Sequence, residues 1–176
     1  MRGVAYLVLD KVEAAHATRR QLIEQLNFAP TLAFTKGAVK TPSMSAIAAQ
    51  LPANVKLMTI SSNYKAWNDG KLIVRLAHMY QVGEHPTLSL PATFSLAEVF
   101  AKTGLKITSA AETLLTANQP RAAWEAKKKV WPTEQKWENT NVEGVQDTRT
   151  WFDEKDEAMS VTINAMELKT FLVEFA

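Results

Sequence analysis

The stretch from Lys71 to Gln81 places the tightest constraint on the fold. It sets Leu72, Val74, Leu76, His78 and Tyr80 on one side, and Ile73, Arg75, Ala77, Met79 and Gln81 on the other. A period of two belongs to an extended strand in a sheet, because successive side chains of a strand point to opposite faces. A second run, Val55 to Ile60, precedes it, and the intervening polar segment ends in Asn68-Asp69-Gly70, a sequence suited to a turn with positive φ. The pair reads as a hairpin with a long loop. Further strands are expected at Ala92 to Leu96, Leu105 to Ala117, Ala158 to Ile163 and Glu167 to Phe175. The alternation of Met159, Val161 and Ile163 with Ser160 and Thr162 is the cleanest of these.

The N-terminal part reads differently. Val4 to Leu9 is a continuous apolar run closed by Asp10, the pattern of a buried strand. A helix is expected at residues 11 to 27, with Asp10 as N-cap, Glu13 three residues later, and Val12, Ala15, Leu22, Ile23 and Leu26 along one face. Residues 30 to 53, broken by Pro30, Gly37, Pro42 and Pro52, read as a meandering connection with at most one short strand. Residues 118 to 157 are polar and rich in tryptophan, with Pro120, Pro132 and Gly144 as breakers, and read as a long irregular excursion. The expected fold is therefore mainly β: an antiparallel β-sandwich, or part of a larger one, with one N-terminal helix.

Composition narrows the functions. With 176 residues, 47% of them hydrophobic and 22% charged, the chain has globular composition and enough apolar material for one core. A multidomain enzyme is not expected within that length. A net charge of only +2 is too balanced for a dedicated nucleic-acid binder. The absence of cysteine excludes disulfides, cysteine nucleophiles and thiolate metal sites. No apolar run approaches the ~20 residues required to cross a bilayer, and the first ten residues are too short for a secretion signal. Neither membrane anchoring nor a signal peptide is expected in the chain as written.

Four stretches in order carry a more specific message. They are Arg2-Gly3 with Tyr6-Leu7-Val8-Leu9-Asp10, then Leu51-Pro52-Ala53-Asn54-Val55-Lys56-Leu57-Met58-Thr59, then Leu72 through Glu84, and then Glu112-Thr113-Leu114-Leu115-Thr116-Ala117-Asn118-Gln119. With the closing Met166-Glu167-Leu168-Lys169-Thr170-Phe171-Leu172, their succession resembles the C-terminal end of the lysosomal-type α-mannosidases of glycoside hydrolase family 38. The resemblance spans nearly the whole chain, although residues 120 to 157 match poorly. It implies that residues 1–176 are a C-terminal β domain of an enzyme that hydrolyses terminal α-mannosides with retention. The family's aspartate nucleophile, its acid/base carboxylate and its histidine- and aspartate-held zinc lie in an N-terminal catalytic domain that this chain lacks. The implied partners are that catalytic portion and mannose-containing glycans, and the implied compartment of the full enzyme is the lysosome, the vacuole or the secretory pathway. Met1 reads as an internal start, a truncated reading frame or an expression boundary.

Within the chain no catalytic residue, metal ligand set or cofactor site is expected. His16, His78 and His85 form no compact metal-ligand spacing, and we read His78 and His85, seven apart with Glu84 nearby, as a chance pair. Glycosidase carboxylates work as a pair flanking the scissile bond, whereas Glu84, Glu98, Glu112 and Asp147 fall in different elements. Two residues remain as candidates for substrate binding. Arg75 would reach a sugar hydroxyl or a carboxylate near the cleft, since in the family the corresponding strand approaches the catalytic domain; its structural alternative is a salt bridge or a side chain extended along the sheet. His78 shares its strand face with Leu72, Val74 and Leu76, and its structural alternative, the favoured one, is a hydrogen-bonded core histidine.

Trp124, Trp131, Trp137 and Trp151 suit the apolar face of a sugar as well as a protein interior, and the packing of a long loop is the simpler account. Residues 121 to 137 carry net +3 and could grip single-stranded nucleic acid, but residues 138 to 157 carry net −5 and can neutralise them. No nucleic-acid partner is expected. A freestanding carbohydrate-binding sandwich is the alternative function, and self-association is expected if strands have lost their pairing partners.

Overall fold

The computed structural model describes residues 3–38, 45, 47, 49–62, 70–101, 106–129 and 159–175. In chain order the elements are α1 (Val12–Asn27), β1 (Val55–Ser62), β2 (Lys71–His78), β3 (Ala92–Ser95), α2 (Leu96–Phe100), β4 (Ile107–Thr113), α3 (Arg121–Lys127), β5 (Ser160–Ile163) and β6 (Leu168–Phe175). Two antiparallel sheets result, one ordered β1-β2-β6-β4 and a smaller one of β3 and β5.

The expected hairpin is β1 and β2, which pair from Val55 opposite His78 to Ser62 opposite Leu72, with one extra residue between Leu57 and Thr59. Gly70 at its second corner has φ +72°, a conformation that costs glycine nothing. The period of two brings Val74 and Leu76 to the inner face. Register then sets Phe171 of β6 opposite Val74 and Glu112 of β4 opposite Phe171. Val74, Leu76, Phe171 and Val173 from the large sheet meet Ala92, Val161 and Ile163 from the small one. Leu96, Val99 and Phe100 of α2 and Ile107 close the layer, and Phe100 meets Phe175 edge to face at 5.6 Å.

Three expectations need correction. Val4 to Leu9 is not a buried strand: it belongs to no sheet, and Val4, Leu7 and Leu9 are 78%, 84% and 87% exposed. A run apolar on successive residues needs cover on both faces, and the described residues offer none. Asp10 is not the N-cap of α1 either. Lys11 holds that position without a side-chain cap, and the Asp10 carboxylate accepts from Lys11 N–H (2.8 Å) and from the Thr18 hydroxyl (2.5 Å). Finally, the face of Val12, Ala15, Leu22, Ile23 and Leu26 is not a core face, since α1 buries no residue.

The strand expected to reach Gln81 leaves the ladder after His78, where Met79 N–H turns to Asn54 C=O (2.9 Å). Two short helices join the expected one. In α2 the Ser95 hydroxyl accepts from Glu98 N–H at 3.1 Å. The other, α3, occupies the first part of the excursion expected at 118–157, of which residues 130–157 lie outside the described residues, with Trp131, Trp137, Trp151 and Asp147 among them.

Candidate functional site

The two candidate residues lie on opposite faces of β2. Arg75 is on the outer face of the large sheet, in a row that crosses all four strands: Thr59, Arg75, Thr170 and Thr113. Its Nε donates to Leu115 C=O (3.1 Å) and its Nη1 to the Thr59 hydroxyl (3.2 Å). Leu115 belongs to the 114–119 loop, which is closed by Leu114 N–H to Gln119 C=O (3.2 Å) and Ala117 N–H to Leu114 C=O (2.8 Å). Arg75 thus ties this loop across β2 to the edge strand β1. Guanidinium carries five N–H donors in a planar fork, and these bonds engage two of its nitrogens.

His78 points inward and is 5% exposed. Its Nδ1 accepts from Tyr80 N–H (3.2 Å), and its Nε2 lies 3.0 Å from Leu90 C=O and 3.1 Å from the Asn54 amide nitrogen. The Asn54 amide donates to the same carbonyl (3.0 Å). Both ring nitrogens are engaged with protein, and the arrangement fastens the 79–91 segment onto the end of the hairpin. His85 is held apart from His78: its Nδ1 accepts from Thr87 N–H (3.2 Å) and Leu88 N–H (3.1 Å). Among the described residues no group of three or more histidine and carboxylate side chains is placed to hold a metal ion.

The carboxylates are also held in separate places. The Glu84 side chain is 5% exposed and meets three side chains of α1: His16 Nδ1 (3.2 Å), Arg19 Nη2 (3.1 Å) and Arg20 Nη2 (2.8 Å). It also accepts from Gln81 N–H at 2.8 Å. Burial by itself would raise the Glu84 carboxyl, but the bonds from Arg20, Gln81 and Arg19 prevail and lower it to about 2. Glu112 sits on the inner face, bonded to Arg121 and 3.5 Å from Lys169 Nζ, whose side chain is fully buried. Arg121 bonds Glu125 one turn along α3 (3.1 Å). Burial lowers the Lys169 ammonium against the opposing pull of Glu112 and Glu167.

This inward lysine is a group the sequence reading passed over. Its signal was legible: the alternation of β6 puts Lys169 on the side of Phe171 and Val173, so a charge on the core face follows from period two, and a buried charge calls for a partner.

Two sheets facing across one apolar layer, with ionic groups placed as struts, define a β-sandwich domain. Residues 54–171 match the family described as the glycosyl hydrolases family 38 C-terminal beta sandwich domain, and the chain belongs to that family. Among similar proteins are the lysosomal alpha-mannosidase of Homo sapiens, 34% identical over 182 residues, and that of Cavia porcellus, 32% identical over 185 residues. Each alignment covers 98% of this chain and 16% or 17% of the relative. A probable alpha-mannosidase of Arabidopsis thaliana is 40% identical over 84 residues, 48% of this chain and 8% of the relative. The chain therefore spans about one sixth of the length of the curated relatives it matches.

Proposed function

We propose that this chain is the noncatalytic C-terminal β-sandwich portion of an α-mannosidase that hydrolyses terminal α-mannosides of glycans, and that it braces the catalytic portion and shapes its cleft. The observation that carries this reading is the end-to-end likeness to α-mannosidases about six times as long. The exposed apolar run Val4 to Leu9 supports it, since a β-type sequence without cover fits a strand whose neighbour lies in the rest of the enzyme. Zinc, which the resemblance implies, belongs to that remainder, and mannose-containing glycans are the proposed substrates of the whole. The proposed compartment is the lysosome, the vacuole or the secretory pathway; the two mammalian relatives above carry "lysosomal" in their names.

In this assembly Arg75 is the proposed contact to a substrate hydroxyl or a catalytic carboxylate, because its guanidinium stands on the outer face of the sheet with donors beyond those given to Leu115 and Thr59. His78 acts behind it, holding the hairpin end in place. The test is reconstitution. The purified chain, with or without zinc, leaves an α-mannoside model substrate uncleaved, and co-expression with the remaining portion of the enzyme yields a stable complex that cleaves it. Zinc-dependent turnover by the pure chain would sink the proposal, and so would binding to a mannan array by the chain alone with no affinity for the catalytic portion.

A further inference from the structure

The first helix, the longest in the described residues, buries no residue, and charged side chains tie it to the sandwich. One post is Glu84, approached by His16, Arg19 and Arg20 from one helical face, the spacing of i, i+3 and i+4 that aligns side chains on adjacent turns. The other is Lys56 of β1, whose ammonium contacts Glu24 (2.6 Å) and lies 4.0 Å above the Phe28 ring. The segments on either side, 3–11 and 28–38, contain no strand and expose Tyr6, Leu7, Leu9, Leu32 and Phe34. The family match begins at residue 54, beyond this whole region.

We propose that residues 3–38 form an arm clasped to the sandwich at Glu84 and Lys56, which opens as a unit when the Glu84 post loses its charge while the sandwich stays folded. Glu84 is the decisive post because its carboxylate, 5% exposed, gathers three side chains of α1, so that removing its charge takes the anion from Arg19 and Arg20 together, whereas the Lys56 post holds a single carboxylate, Glu24. A 16-residue helix is near the margin of independent stability in water, so a released α1 unwinds.

Among the described residues, a small set of groups sets the clasp's response to pH. Glu84 faces His16, Arg19 and Arg20 from α1, the Gln81 amide, and the Tyr80 hydroxyl, whose ionisation is disfavoured first by burial and then by Glu84 itself. The carboxyl is lowered to about 2 against an ordinary value of 4.5. A lowered carboxyl stabilises the closed arm above its ordinary value, and this contribution is lost as pH falls through about 2. The arm therefore stays closed at pH 5 as at pH 7, and opens only in strong acid.

Amide hydrogen exchange on the intact chain reads this directly. In Glu84→Gln the amides of residues 12–27 are expected to lose protection by at least about tenfold, while those of β2 and β6 keep theirs. Unchanged protection of α1 in this variant would overturn the proposal. If the substitution loosens the sandwich as well, the swapped pair Glu84→Arg with Arg20→Glu decides: recovered protection of both regions supports the clasp, and failure to recover overturns it. In the unaltered chain, protection factors of α1 at pH 5 should equal those at pH 7, and release between those values would equally refute it.

Discussion

Glu112, Lys169 and Arg121 show how a charge survives between two sheets. Lys169 stands opposite Leu76 among core residues, where an isolated ammonium would be costly, and it keeps its place because the Glu112 carboxylate approaches from β4 and Glu167 adds a second negative charge, against the like charge of Arg121, which Glu112 also binds. Glu112→Gln leaves Lys169 buried beside a neutral group, and chemical denaturation should report a loss of about 3–5 kcal/mol. Replacing the pair together, Glu112→Leu with Lys169→Met, should cost less than the single change, because no buried ammonium is left without its carboxylate and Arg121 keeps Glu125. At His78 the expected loss for His78→Ala is about 1–3 kcal/mol, from a cavity and from the Tyr80 amide left without its acceptor. Arg75→Ala should cost no more than about 1–2 kcal/mol for two bonds near the surface. In the reconstituted enzyme it should lower kcat/KM by more than the change in folded fraction explains, and unchanged kinetics would leave Arg75 a structural tie. Alternation alone placed Arg75 and His78 on opposite faces of β2. Their partners were beyond such reading, because Leu115 and Leu90 arrive through backbone carbonyls, and a carbonyl carries no mark of the side chain attached to it.

Among the elements, the strands were the most legible, since β2, β5 and β6 each show period two and each has a buried inner face. The short α2 had a signal as well, Ser95 followed three residues later by Glu98, and the serine does cap the helix. Ser95→Ala should lower stability by about 0.5–2 kcal/mol, measured by thermal or urea unfolding. The first strand expected, Val4 to Leu9, failed for a reason of context: an apolar run specifies burial but not what covers it, and the cover is absent from the described residues. The turn into β6 is built on Met166, 62% exposed with φ +62°. Met166→Gly should relieve this left-handed conformation and raise stability by about 0.5–1 kcal/mol, after allowing for the greater freedom of glycine in the unfolded chain.

At the scale of the whole molecule, among the described residues, those within 54–175 hold the apolar layer, the buried ionic group and the six strands, while residues 3–38 hold the larger share of the exposed large apolar side chains. Self-association of the isolated chain is therefore expected to run through the arm. Sedimentation at rising concentration should show oligomers that diminish when Leu7 and Leu9 are both changed to serine, with the unfolding transition of the sandwich unaltered.

Both margins of the large sheet are irregular, β1 with its extra residue between Leu57 and Thr59 and β4 with a shift between Ile107 and Ser109. A strand laid along either margin meets regular spacing for only a few residues before donors and acceptors fall out of step. As a template for endless growth the sheet is defective along both outer strands of the described residues, and this frustrates fibril formation. The same defect acts as a gauge, since only a neighbour whose own backbone steps at the matching place can lie along the full length of β1 or β4.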